Sequence, residues 1–238
     1  MIYTMESRVR YSETDMTGTL TTQALIDYFQ DTATFHGEDN GLPMTMLARH
    51  HLTWVLAGWQ VRIYRMPVLG DKVQVNTWAY KFGLSLGYRR FSMTDDKGEL
   101  LAEADARYML LNTEKNAPSD VPEWMAEGYG LDKRPLQAKL KGRKIALPET
   151  GEEQPAVKVT VQMLDTNHHV NNAQFIALAE RYLPDDFTCN TFRVQYKKQA
   201  FLGDVFIPVV YRCDNGCAVA LKSEDGEEYF TGEWLEDA

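Results

Sequence analysis

Apolar positions return with a helical period across residues 23–35, where Leu25, Tyr28 and Phe29 share one flank. Residues 173–182 repeat the pattern with Phe175, Ile176 and Ala179. Both spacings fit a helix laid on a sheet. Residues 73–80, 87–93 and 100–112 are runs that together carry aromatic, β-branched and other apolar side chains and are broken by turn residues, so they predict antiparallel strands. The order of elements is strand, turn, one central helix, then several strands, and it occurs twice. One helix wrapped by a curved antiparallel sheet is an α+β layer solution. Periodicity disappears across residues 132–155, which are rich in Pro, Gly and Lys. The expected organisation is therefore a first half over 1–131, a linker over 132–155 and a second half over 156–238.

Three blocks recur in the same order, which makes duplication the simplest account. Ser12-Glu13-Thr14-Asp15-Met16-Thr17-Gly18-Thr19-Leu20-Thr21-Thr22 aligns with Gln162-Met163-Leu164-Asp165-Thr166-Asn167-His168-His169-Val170-Asn171-Asn172. Leu69-Gly70-Asp71 aligns with Leu202-Gly203-Asp204, a turn signature between β-type runs. Lys97-Gly98-Glu99 aligns with Asp225-Gly226-Glu227, a hairpin signature. The first half is longer between the first two blocks, and the excess over residues 36–51 predicts extra helix and loop.

Composition narrows the function. The 238 residues carry a formal net charge of -9, so a polyanion is repelled by the average field and nucleic acid is a poor partner. No apolar run approaches the roughly 18 residues of a membrane helix. The N-terminus lacks the basic and apolar regions of a secretory signal. Cys189, Cys213 and Cys217 are odd in number and form no CxxC pair, which fits a reducing cytoplasm. No GxGxxG, P-loop, GxSxG or HExxH motif is present, so no cofactor and no metal is expected. A local basic run, Lys133, Arg134, Lys139, Lys141, Arg143 and Lys144, reads as a solvated linker or as a docking surface for an acidic carrier.

The chemistry concentrates in the second half. Asn167 and His169 stand where the first half has Thr17 and Thr19. A neutral imidazole at His169 accepts a proton from water near neutral pH. The Asn167 amide donates to a carbonyl or orients a water, and Asp165 accepts hydrogen bonds that fix the local geometry. Asn171 or Asn172 caps the following helix, whose first N–H groups could face a developing oxyanion. His168 reads as a solvated neighbour. Packing alone gives no reason to gather these groups, so Asp165, Asn167 and His169 are the candidate catalytic residues.

Asp165-Thr166-Asn167-His168-His169-Val170-Asn171-Asn172 resembles the D-x-N-x-H-V-N-N signature of acyl-acyl-carrier-protein thioesterases, and Arg10-Tyr11-Ser12-Glu13-Thr14-Asp15-Met16-Thr17-Gly18 resembles their N-terminal half. The resemblance implies two tandem hotdog folds in one chain. It also implies release of free fatty acid from the phosphopantetheine-linked acyl chain of acyl carrier protein, in fatty acid biosynthesis, by a monomer or homodimer. By the same resemblance the Asp and Asn bind and position while the His assists attack by water. Plant members carry a Glu-Cys pair on the strand after the helix; here Gln199 and Ala200 stand there. A cysteine nucleophile is excluded at that position, and Gln199 can hold a water but cannot act as a base. Glu180 is a weak candidate for a replacement carboxylate. An acyl-coenzyme A thioesterase and a catalytically quiet acyl-binding module remain as alternatives.

Overall fold

The computed structural model describes residues 1–184 and 187–236. The chain forms two compact units, Met1–Ala57 with Arg62–Lys139, and Gly58–Val61 with Leu140–Ala238.

The first unit contains β1 (Tyr3–Arg8), α1 (Thr22–Asp39), α2 (Met44–Arg49), β2 (Leu52–Ile63), β3 (Lys72–Phe82), β4 (Leu86–Asp95), β5 (Leu100–Asn112), the two-residue β6 (Ala117–Pro118) and α3 (Glu123–Tyr129). Its strands lie in the order β1-β3-β4-β5-β2, with β6 on β5. The helix α1 starts where the Thr21 side chain accepts the Ala24 N–H at 3.2 Å, an N-cap that satisfies one free donor of the first turn. Leu25, Ile26 and Phe29 are fully buried beneath it, and the Phe29 ring meets Phe91 of β4 at 5.2 Å. Each such burial contributes roughly 1.5–3 kcal/mol. The helix runs past the expected end at residue 35, because His36 is also turned inward. Its Nδ1 meets the Arg89 guanidinium at 2.7 Å, a tertiary contact that hydrophobic periodicity does not register.

The second unit contains β7 (Glu152–Glu153), β8 (Val157–Lys158), α4 (Asn172–Glu180), β9 (Thr191–Tyr196), β10 (Val205–Cys213), β11 (Gly216–Lys222) and β12 (Glu228–Leu235). Strand order is β9-β12-β11-β10-β7, with β8 on β10. Phe175 anchors α4, with ring centroids 5.4 Å from Phe206 and 5.7 Å from Phe230.

The third sequence block is a hairpin turn in both units. Gly98 and Gly226 both adopt φ 81, and Asp95 and Ser223 donate their N–H groups to Glu99 and Glu227.

Residues 132–147 lie within the expected linker and form neither helix nor strand. They run as extended chain held by side chains of the sheets. In the first unit the buried Glu103 carboxylate accepts the N–H groups of Gln137 and Ala138 at 2.9 and 2.8 Å, and the Arg134 carbonyl accepts from Trp78 and Arg90. In the second, Arg193 donates to the Gly142 carbonyl, Gln195 donates to the Arg143 carbonyl, and Ile145 is buried. The reason is polarity: the anchoring side chains, charged and neutral, carry polar groups that the strap's backbone satisfies. Lys133, Arg134, Lys139, Lys141 and Lys144 still point to solvent.

Candidate active site

The loop before α4 is built by one carboxylate oxygen. Asp165 Oδ1 accepts the N–H of Asn167 at 2.8 Å and of His169 at 3.3 Å. Its own N–H donates to the His169 carbonyl, and His168 N–H donates to the Asp165 carbonyl. The turn is closed further by the bridge between Leu164 and Val170. Asp165 thus acts on the loop itself, by bonding to backbone.

The first unit repeats the geometry. Asp15 Oδ1 accepts the N–H groups of Thr17 at 2.8 Å and Thr19 at 3.1 Å, and Thr14 bridges Leu20. The Thr17 hydroxyl also bonds to Asp15, and together with the Thr19 amide it holds the Asp15 carboxyl below the usual carboxylate range. Thr17 Oγ1 lies 2.9 Å from Thr19 Oγ1, so side chains at these two positions share one side of the loop. Asn167 and His169 occupy the same two positions in the second unit. Asn167 is exposed and His169 is half-buried.

His168 has a reason for its place that the alignment did not supply. It adopts φ 61, where Gly18 adopts φ 80. The turn requires the left-handed region, which costs a non-glycine residue about 1–2 kcal/mol. The exposed His168 side chain is set by that backbone.

The second repeated block lies against the loop. Gly70 and Gly203 both adopt φ 91, and Asp71 and Asp204 accept the N–H groups of Val68 and Phe201 at 3.0 and 2.9 Å. Val170 N–H donates to the Ala200 carbonyl at 2.9 Å, as Leu20 N–H does to the Pro67 carbonyl. The strand β9 ends at Tyr196, so Gln199 and Ala200 do not sit on a strand as expected. They belong to the irregular segment that leads into the turn, with Gln199 exposed and Ala200 buried. Phe201, which sequence reasoning did not select, packs on His169 with centroids 4.9 Å apart and planes at 82°. Its signal was its register with Val68, which bridges Thr19.

Two further expectations change. Asn171 is the N-cap of α4, and its side chain accepts the Ala173 N–H at 2.8 Å, which removes that donor from any oxyanion role. Glu180 Oε1 accepts the indole N–H of the buried Trp234 at 3.2 Å, so this carboxylate has a structural partner.

The family model described as acyl-ACP thioesterase N-terminal domain matches residues 1–129. The chain belongs to the acyl-ACP thioesterase family. It is 28% identical over 189 residues to a chloroplastic acyl-[acyl-carrier-protein] hydrolase of Cuphea viscosissima, an alignment that covers 74% of this chain and 46% of that relative. It is 24% identical over 260 residues to a chloroplastic palmitoyl-acyl carrier protein thioesterase of Gossypium hirsutum, covering 98% of this chain and 63% of that relative. The chain therefore spans between about half and under two thirds of the length of these curated relatives. Among solved structures, an acyl-ACP thioesterase of Bacteroides thetaiotaomicron superposes with a TM-score of 0.89 at 21% identity, over 98% of this chain and 97% of that one. The 12:0-ACP thioesterase of Umbellularia californica gives 0.85 at 19% identity, over 98% and 96%. The fold is α+β, with two tandem hotdog folds, each an antiparallel sheet packed on one helix. Among the described residues no helix is long and apolar enough to cross a membrane.

Proposed function

We propose that this family member hydrolyses fatty acyl thioesters of acyl carrier protein, with His169 as general base in the second half and a first half that has lost the chemistry. One observation carries the reading: two loops share one backbone geometry, and only the second carries an amide and an imidazole at the two positions whose side chains meet in the first. Water attacks the thioester carbonyl while His169 takes its proton, and the carbonyl electrons move onto oxygen. Asn167 donates to that oxygen. Collapse re-forms the carbonyl and breaks the carbon–sulfur bond; the leaving thiolate takes the proton back from His169. Asp165 holds the loop in register for both groups, and the exposed Gln199 orients the water through its side-chain oxygen. The likeness to a palmitoyl-acyl carrier protein thioesterase supports the carrier-bound substrate.

The exposed basic side chains of the strap are assigned to the acidic carrier. Their backbone is pinned, so docking a partner has only the side chains left to order. Cys189, Cys213 and Cys217 are all free thiols, which supports a reducing, cytoplasm-like compartment.

The test is thiol release from palmitoyl-carrier protein and from palmitoyl-coenzyme A. Release should be faster from the carrier, and His169→Ala or Asn167→Ala should slow it by at least about 100-fold. Reversing the charge of Lys133, Arg134, Lys141 and Lys144 should raise KM for the carrier substrate most at low ionic strength. Faster release from coenzyme A would overturn the carrier assignment. No release from either would leave an acyl-binding module.

A further inference from the structure

We propose that Phe201 is a positioning residue that fixes the imidazole of His169. The inference rests on the reading of His169 as general base.

The geometry comes from both segments. Val170 N–H to the Ala200 carbonyl ties the residue after His169 to the residue before Phe201 at 2.9 Å. The Phe201 backbone is then locked on its far side: its N–H goes to Asp204 Oδ2 at 2.9 Å and its carbonyl accepts the Asp204 N–H at 3.1 Å. Tyr229 braces the same carboxylate from β12 with its hydroxyl at 3.3 Å. Neither ring can drift apart from the other by backbone motion of a simple kind. The two rings meet at 4.9 Å and 82°, the edge-to-face arrangement that aromatic quadrupoles favour.

The duplicate supplies a control within the molecule. The same turn, with the same Asp and Gly, brings Val68 beside Thr19. Where position 19 carries a hydroxyl, its neighbour is aliphatic; where position 169 carries an imidazole, its neighbour is aromatic. The turn does not demand an aromatic ring, since Val68 serves it. Core packing does not demand one either, because Phe201 is 49% exposed. What the ring does do is occupy one side of the half-buried imidazole, which limits the rotamers open to it. A general base must point one nitrogen at the attacking water, and loss of that orientation costs rate without costing affinity.

The experiment pairs kinetics with proton NMR of the His169 ring in Phe201→Ala and Phe201→Tyr. Phe201→Ala should lower kcat about 10- to 100-fold with KM changed less than about twofold. It should also replace the single set of His169 ring-proton nuclear Overhauser contacts expected of a fixed ring by the averaged contacts of a ring that samples several rotamers, with the thermal midpoint lowered only by the lost ring contact. Phe201→Tyr should restore both. An unchanged kcat in Phe201→Ala, or an unchanged set of His169 ring-proton contacts, would overturn the proposal. If His169→Ala itself keeps full turnover, the general-base reading fails instead, and the NMR comparison alone still decides whether Phe201 holds the ring.

Discussion

His168 holds the left-handed backbone conformation that Gly18 holds at the same place in the first half, with φ 61 against 80. Two adjacent histidines in one short loop therefore do different things. His169 presents a half-buried ring beside Phe201, whereas His168 satisfies a turn at some steric cost. His168→Gly should remove that strain. Part of the gain is offset by the greater freedom of glycine in the unfolded chain, so stability should rise by at most about 1 kcal/mol. Turnover should stay within about twofold of the parent, against a loss of about 100-fold for His169→Ala. Urea unfolding and thiol release check both halves of this statement, and equal kinetic damage from the two variants would mean that the histidines have been assigned the wrong way round.

The carboxylate of Asp15 stands below the ordinary value of 3.8 because the Thr17 hydroxyl, then the Thr19 amide, bond to its charged form. A depressed folded pKa stabilises the protein above the unfolded value, and that contribution is lost as the pH falls through the folded value. Relative to Asp15→Asn, the parent should lose stability as the pH is lowered from about 4 downward. Neither protein should differ in thiol release at pH 7. Denaturant midpoints across the acid range decide this, and parallel curves for the two proteins would show that the hydrogen bonds contribute nothing.

His36 gives a pH dependence at higher values. Burial, then the neighbouring Arg89 cation, push its pKa from 6.5 to about 4; Asp39 acts weakly in the opposite direction. The unfolded chain binds a proton between those limits and the folded chain does not, so stability falls as the pH drops from 6.5 to about 4. His36→Gln keeps an acceptor for Arg89 and has no such proton. The slope of unfolding free energy against pH over that window should therefore flatten in the variant. A slope that survives the substitution must belong to other groups.

Glu180 tests the idea of a hidden carboxylate. Its Oε1 accepts the N–H of Trp234, a side chain with no exposed surface. Glu180→Gln keeps an acceptor there and should leave turnover within about threefold, far from the roughly 100-fold loss expected on deleting an acid–base group. Glu180→Ala withdraws the acceptor from a buried donor and should cost about 1–3 kcal/mol of stability. A turnover loss in Glu180→Gln close to that of His169→Ala would return this residue to the mechanism.

Much of the architecture was legible because it rests on features a sequence carries openly. Strand β5 spans Leu100–Asn112, the bounds that the flanking turn residues predicted, and the Leu-Gly-Asp and Gly-Glu signatures form the same turns twice. Asp165, Asn167 and His169 do share one loop, since that loop is local in sequence. What escaped was long-range. His36 is turned inward against Arg89, Tyr3 and Tyr129, all from other elements. The strap over residues 132–147 has no periodicity because backbone groups, bonded to Glu103 and Arg193, hold it in place. Phe201 could be read from the sequence only after the turn before it was set beside its duplicate, since nothing in its own neighbourhood distinguishes an exposed phenylalanine from a packed one.

The Leu-Gly-Asp turn has kept one shape in both copies while the residues before it, Arg65-Met66-Pro67-Val68 and Lys198-Gln199-Ala200-Phe201, share no position. A left-handed glycine at φ 91 leaves few acceptable replacements, and an aspartate that holds a backbone N–H leaves few more. Side chains before the turn are free to drift once that pair is fixed. The likeness of the two halves is thus held in the joint of the loop, and their difference in the residue before it: valine in the first half, phenylalanine in the second.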